Sequence, residues 1–319
     1  MGEFDLIERF FKRPALLADV GIGDDCAIWS PRAGHQLAFS TDMLLEGRHF
    51  LSTVDPKSLG HKALAVNLSD LAACGATPKA FLLSLSLPRV DEAWLSGFSS
   101  GLFKLADFNQ CELIGGDTTQ GPLNISITVI GEVPIGQAIL RSGAQVGDDL
   151  YVSGFLGDAR LALEAFRGNI SLPENVFKSA RLRMELPTPR LHLGQALRGI
   201  ATSMADISDG LLGDLKHILK ASQVGAEIYL PSTTGLMLTG SLWSCPTDLA
   251  MTCVLSGGDD YELLFTAAPT SAKVVQAAAI ASDIQVTRIG RITDSNNLVL
   301  LDAQGQSLNK HYPSFDHFS

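Results

Sequence analysis

The spacing of apolar residues changes period several times along the chain, and each change marks an element. Phe4, Ile7, Phe10 and Phe11 recur at helical spacing, so a short amphipathic helix opens the sequence. Gln36 to Ser40 reads as a strand that delivers Ser40, Thr41 and Asp42 at its end. Asp55-Pro56 starts a long helix, because Asp caps free N–H groups and Pro fits the first turn, and Gly75 supplies its stop. From Pro78 to Pro88, Phe81, Leu83, Leu85 and Leu87 alternate with Ser84 and Ser86, which predicts a strand with one buried face. A helix follows over Asp91 to Phe108. A short strand at Leu113-Ile114 then runs into Gly115-Gly-Asp-Thr-Thr119, and another strand spans Asn124 to Val133.

The texture changes after the glycine-spaced stretch from Gly136 to Gly147, which reads as a domain junction and divides the chain into 1–136 and 137–319. Beyond it, strands are predicted at Leu150 to Ser153, Thr202 to Ala205, Leu263 to Thr266, Val286 to Ile289 and Leu298 to Leu301. Longer helices separate several of them, which points to the α/β class. The helix after Asp206-Ile-Ser-Asp-Gly210 carries Leu211, Leu212, Leu215, Ile218 and Leu219 on one side. Pro231 to Asp248 holds a single charge among Ser, Thr, Gly and Pro, and reads as a long loop or lid.

Composition narrows the class of molecule. With 319 residues, 46% hydrophobic and 18% charged, the chain can build two real cores and is not disordered. A net charge of −10 argues against nucleic acid and anionic membrane as partners and suits a collector of divalent cations. The five cysteines form no C-x-x-C pair, so neither a zinc site nor a disulfide framework is expected. The acidic N-terminus is no signal peptide and no apolar run is long enough to cross a bilayer, so a cytoplasmic protein is expected.

The candidate chemistry lies in aspartates at strand ends and glycine turns: Asp24, Asp25, Asp42, Asp70, Asp117, Asp206, Asp209, Asp259 and Asp260. Any one of them fits an ordinary turn residue. Asp70 is the sharpest case. It shares a helix face with Asn67, and no Lys or Arg lies between Lys62 and Lys79. A metal ion would answer its charge; a cap on a neighbouring loop would serve as well. Taken together, acids gathered at strand ends would repel one another unless cations sat between them, and oxygen-only donors suit magnesium. Magnesium among carboxylates commonly handles phosphates, and the neighbouring glycines would let phosphate approach backbone N–H groups. The P-loop and protein-kinase signatures are missing.

Seven motifs then occur in a telling order: Gly21-Ile-Gly-Asp-Asp-Cys-Ala, Ser40-Thr-Asp-Met with Gly47-Arg-His-Phe, Asn67-Leu-Ser-Asp-Leu-Ala-Ala, Ile114-Gly-Gly-Asp-Thr-Thr, Arg141-Ser-Gly-Ala, Asp206-Ile-Ser-Asp-Gly-Leu and Ser256-Gly-Gly-Asp-Asp-Tyr-Glu-Leu. Over its full length the chain resembles the thiamine-monophosphate kinases, of the superfamily of aminoimidazole ribonucleotide synthetase and selenophosphate synthetase. The resemblance implies an N-terminal α+β domain that binds ATP and magnesium and whose strands pair across a homodimer. It also implies a C-terminal α/β domain, with the active site in the cleft between the two. The implied reaction moves the ATP γ-phosphoryl group directly, in line, to thiamine monophosphate, the final step of thiamine diphosphate synthesis. A phosphate oxygen is the nucleophile, so no strong general base is needed.

Carried over by motif, Asp25, Ser40, Thr41, Asp42, Asp70, Asp117, Asp206 and Asp209 would hold several magnesium ions, with Asp42, Asp70 and Asp209 central to catalysis. Gly116, Asp117, Arg141, Ser208 and Phe108 would contact ATP, and His49, Asp259 and Phe315 the thiamine phosphate. Asp259 stands where the family usually has Glu, and Phe108 where a Tyr is common. A sister enzyme, a non-catalytic homologue and a magnesium-dependent phosphohydrolase are the competing readings. The first Cys lies inside the Gly-Asp-Asp turn at Cys26, which counts against selenophosphate synthetase.

Overall fold

The computed structural model describes residues 2–233, 235–308, 310 and 312. Two compact units result: residues 1–71 with 76–136, and residues 72–75 with 137–319.

The first unit contains α1 (Glu3–Phe10), β1 (His35–Leu45), α2 (Pro56–Ala73), β2 (Thr77–Leu87), α3 (Glu92–Phe108), β3 (Glu112–Gln120) and β4 (Asn124–Pro134). The strands form one sheet in the order β1-β4-β2-β3, with β2 and β3 parallel and the other pairs antiparallel. Asp55 caps α2 as its sequence predicts, accepting the N–H groups of Lys57 and Ser58 at 2.9 and 3.3 Å. Gly75 ends it in the left-handed region at φ +71°. Asp91 caps α3 in the same way, accepting from Ala93 and Trp94. Leu64, Leu68 and Leu71 of α2, Leu95, Phe98 and Leu102 of α3, and the alternating Phe81, Leu85, Ile125 and Ile127 are all fully or almost fully buried. β1 runs longer than the stretch read from sequence, to Leu45, because every residue from His35 to Leu45 pairs with β4.

The second unit contains β5 (Asp149–Ser153), α4 (Asp158–Phe166), α5 (Glu174–Glu185), α6 (Leu191–Ala196), β6 (Ser203–Asp206), α7 (Leu211–Ser222), β7 (Gly225–Tyr229), α8 (Leu230–Thr233), α9 (Thr247–Ser256), β8 (Leu263–Ala267), α10 (Ala272–Ala281), β9 (Val286–Thr293) and β10 (Leu298–Leu301). Its six strands are ordered β10-β7-β9-β5-β8-β6, mostly antiparallel with β10 and β7 parallel. Leu150, Val152, Leu161, Leu215, Ile218 and Leu264 form its core.

The segment from Pro231 to Asp248 differs from the loop or lid expected of it. It holds a helical turn at Leu230–Thr233 and another at Leu238–Ser241, and it buries Leu236, Met237 and Thr239. The reason is Asp158, a fully buried carboxylate at the start of α4. It accepts the N–H groups of Leu238 and Thr239 at 2.8 and 3.0 Å, and the Thr239 hydroxyl as well. A buried carboxylate needs such donors, and providing them pins the segment down. Among the described residues, no helix is long and apolar enough to cross a membrane.

Candidate functional site

In the first unit, strand alternation sorts the candidates. Even-numbered residues of β1 from Ser40 to Leu44 are partly or fully buried, whereas Thr41, Met43 and Leu45 are exposed. Ser40 and Asp42 therefore share a face, and both meet α2. The Ser40 hydroxyl donates to Asp70 Oδ2. The Asp42 N–H donates to Asn67 Oδ1 at 3.0 Å, and Asn67 is itself fixed through Nδ2 to the Ala63 carbonyl at 3.0 Å. Asn67 and Asp70, three residues apart on the helix, thus register with Ser40 and Asp42, two residues apart on the strand. Just beyond β1, His49 Nδ1 accepts the Leu45 N–H at 3.0 Å, which leaves Nε2 to carry the proton of the neutral ring.

Other candidates lie elsewhere in this unit. The Thr41 side chain is on the opposite face of β1; its hydroxyl donates to the Ile127 carbonyl and accepts from Thr128, both at 3.0 Å. Asp117 pairs with Ser84 and lies on β3, at the sheet edge opposite β1. Three strand spacings, about 14 Å, separate those edges along the sheet, so the register does not bring Asp117 to Asp42. Gly116 beside it has φ +146°, and a Cβ there would stand 1.8 Å from the Leu83 carbonyl oxygen, so only glycine fits. Asp25 is exposed and donates its N–H to Asp24 Oδ1 at 2.8 Å. Phe108, the last residue of α3, is 78% exposed.

In the second unit, the turn after β6 carries Asp206, Ser208 and Asp209. The N–H groups of Ser208 and Asp209 both donate to Asp214 Oδ2 at 3.1 Å. Burial pushes the Asp214 carboxyl up to about 7, and the charge of Asp209 adds to the rise. The two N–H donors and the Arg141 guanidinium act in the opposite direction. Arg141 is held by a loop in which the N–H groups of Gly143 and Ala144 donate to Ser222 Oγ at 3.1 and 3.2 Å.

Asp259 comes to the same turn. Its N–H donates to the Ser208 carbonyl at 2.9 Å, and Tyr261 donates its N–H to the Ile207 carbonyl at 2.8 Å. The Ile207 N–H returns a bond to the Glu262 carbonyl at 2.9 Å. The Tyr261 hydroxyl fixes the Asp259 carboxylate at 3.0 Å. Phe315 lies outside the described residues.

Three features had no part in the sequence reading. Asp214 organises the 206–209 turn; its one sequence signal is an acid in the first turn of a helix. Asp158 pins the 231–248 segment. Glu262, inside a quoted motif, is fully buried against Arg183 and Arg190, which stand 79 and 72 residues away in sequence and so gave no local signal.

The donor chemistry fits hard divalent cations. Ser40, Asp42 and Asp70 offer oxygens only, and the charge of Asp209 adds to the cost of ionising the buried Asp214, which a cation would relieve. Among the described residues no three acidic, His or Cys side chains converge into a ready metal cage. Magnesium tolerates that arrangement, because it keeps waters and takes phosphate oxygens as ligands.

Comparison with known proteins follows the same division. Residues 23–133 match the AIR synthase related protein N-terminal domain, and residues 145–302 match its C-terminal domain. The chain is 42% identical to thiamine-monophosphate kinase of Escherichia coli K12, covering 100% of this chain and 98% of that one. It is 43% identical to the Haemophilus influenzae protein of the same name, with the same coverage. The crystal structure of thiamine-monophosphate kinase from Stenotrophomonas maltophilia superposes with a TM-score of 0.84 at 42% identity, over 96% of each chain. AaThiL complexed with AMPPCP and TMP superposes with a TM-score of 0.76 at 30% identity, over 91% of this chain and 89% of that one. The hydrogenase maturation protein HypE, at 19% identity and a TM-score of 0.77, shares the fold. With both domain models matched and relatives above 40% identity along its whole length, the chain belongs to the thiamine-monophosphate kinase family, an AIR synthase-like fold.

Proposed function

We propose that the protein transfers the γ-phosphoryl group of ATP to thiamine monophosphate, giving ADP and thiamine diphosphate, the final step of thiamine diphosphate synthesis. The observation that carries the reading is the Ser40–Asp70 and Asp42–Asn67 pairing inside a chain that matches family members end to end. A relative of the same fold that is complexed with AMPPCP and TMP supports the choice of substrates.

Magnesium, when bound, would neutralise the phosphate charges and align an in-line displacement. Asp42, Asp70 and Ser40, with Asp25, Thr41 and Asp117, are the oxygen donors proposed for it in residues 1–136, which we assign to ATP, magnesium and dimerisation. Thr41 would serve through its carbonyl, because its hydroxyl is engaged on the other face. Asp206 and Asp209 are the donors proposed in residues 137–319. Asn67 keeps the Asp42 backbone in register with α2, and Ser40 orients one oxygen of Asp70. Gly116 gives phosphate close access to backbone. Arg141 and Ser208 would contact ATP, and the exposed Phe108 ring is suited to stacking on a base. His49, with Nε2 protonated, can donate to a phosphate oxygen of thiamine monophosphate. Asp259, held by Tyr261, is a further substrate contact, and Phe315 is proposed to stack on the thiamine rings.

A homodimer is part of the proposal. Leu37, Phe39, Met43 and Leu45 all project from the exposed face of edge strand β1, with Phe39 63% and Met43 53% exposed. Such a row on an edge strand invites a second sheet. The reaction is tested by 31P NMR of protein, magnesium, ATP and thiamine monophosphate. Stoichiometric ADP and thiamine diphosphate are expected; free phosphate in place of thiamine diphosphate would make the protein a hydrolase.

A further inference from the structure

Glu262 is fully buried, yet it lies in no position to touch a substrate through its carboxylate, because protein groups occupy both oxygens. Arg190 donates from Nε to Oε2 at 2.6 Å and from its terminal nitrogen to Oε1 at 2.5 Å. Arg183 adds a bond to Oε1 at 2.9 Å, and the Ser153 hydroxyl one to Oε2 at 2.7 Å. The fit is close enough that a Cβ on Gly154 would stand 2.2 Å from Oε1. Fork-on-fork pairing of this kind fixes direction as well as distance.

The same residue's backbone serves the turn that carries Asp206 and Asp209. The Glu262 carbonyl accepts from Ile207, Tyr261 donates to Ile207, and Asp259 donates to Ser208, at 2.9, 2.8 and 2.9 Å. This ladder holds Asp259 and Tyr261 at φ +67° and +51°, the left-handed region that non-glycine residues resist. A strained segment persists only where its surroundings over-determine it. Glu262 supplies one anchor. Asp260 supplies a second, with both carboxylate oxygens within 3.0 Å of the Gly157 N–H.

We infer that Glu262 is a positioning residue: locked by Arg183, Arg190 and Ser153, it holds residues 259–262 in the register that fixes the backbone of the Asp206–Asp209 turn. Its bearing on turnover rests on the phosphotransfer reading; its bearing on the turn does not. Two measurements keep these apart. Amide hydrogen exchange on Glu262→Gln should show protection lost at Ile207, Asp259 and Tyr261 while the β5 and β8 amides stay protected. Steady-state kinetics on the same variant should show kcat falling about 30-fold with both KM values within about threefold, the size of effect typical of groups that orient ligands from behind.

In a folded variant, loss of protection spread evenly through the unit, or unchanged protection at the three amides, would overturn the proposal. A folded variant with the parent's kcat would overturn its link to turnover. Arg190→Lys keeps the charge and loses the fork, so it covers the case in which Glu262→Gln does not fold. It should lose protection at the same amides and a smaller share of kcat, and an Arg190→Lys protein indistinguishable from the parent in both would refute the claim. A parent protein without thiamine monophosphate-dependent turnover would end the phosphotransfer reading and leave the exchange result to judge the positioning role.

Discussion

Asp70 sits in the last turns of α2 with the Ser40 hydroxyl on one carboxylate oxygen. That bond marks where sequence reasoning stopped: helical spacing placed Asp70 beside Asn67, but their partners lie on a strand 25 and 30 residues earlier. Asp70→Asn keeps the shape and removes the charge. It should lower kcat by roughly 10²–10³-fold and leave the thermal midpoint nearly unchanged, as read by kinetics beside differential scanning calorimetry. Asp260 offers a different test. Burial holds its carboxyl well above the ordinary value of 3.8, with the Gly157 N–H and Arg183 opposing. The folded state thus keeps a proton that the unfolded chain gives up above about pH 4, and stability falls as pH rises from there towards the folded value. Asp260→Asn cannot ionise, so its midpoint should decline less with pH over that window; parallel curves for parent and variant would contradict the assignment.

Elements were more legible than the distances between them. The α2 boundaries followed from Asp55, Pro56 and Gly75, and the buried faces of β2 from Phe81 to Leu87 and of β4 from Ile125 to Val129 from alternation. Alternation also held a warning about Thr41, whose hydroxyl must point away from its neighbours Ser40 and Asp42. The separation of Asp117 from Asp42 was not legible, because sheet order, with β1 and β3 at opposite edges, is not written in any one strand. The 231–248 segment escaped because its anchor, Asp158, is about 80 residues away. Helix packing gives a check at this scale. A Cβ on Gly101 of α3 would stand 1.8 Å from the Lys57 carbonyl oxygen on α2. Gly101→Ala should therefore cost about 1–3 kcal/mol, the range for overpacking, despite the better helix propensity of Ala; a denaturant midpoint at or above the parent's would refute the close crossing.

At the scale of the whole molecule, both halves of an acidic chain concentrate oxygen donors at turns and strand ends. The exposed Leu37, Phe39, Met43 and Leu45 row belongs to this scale too. Phe39→Asp should shift the protein from dimer to monomer in light scattering, and a parent that is already monomeric at micromolar concentration would remove the dimer from the account. The central claim is phosphoryl transfer to a phosphate acceptor. It is tested most directly by coupled ADP release from the purified protein with ATP and magnesium, comparing thiamine monophosphate, thiamine and no acceptor. The account predicts ADP only with thiamine monophosphate, matched one for one by thiamine diphosphate. ADP release at the same rate without an acceptor would contradict it.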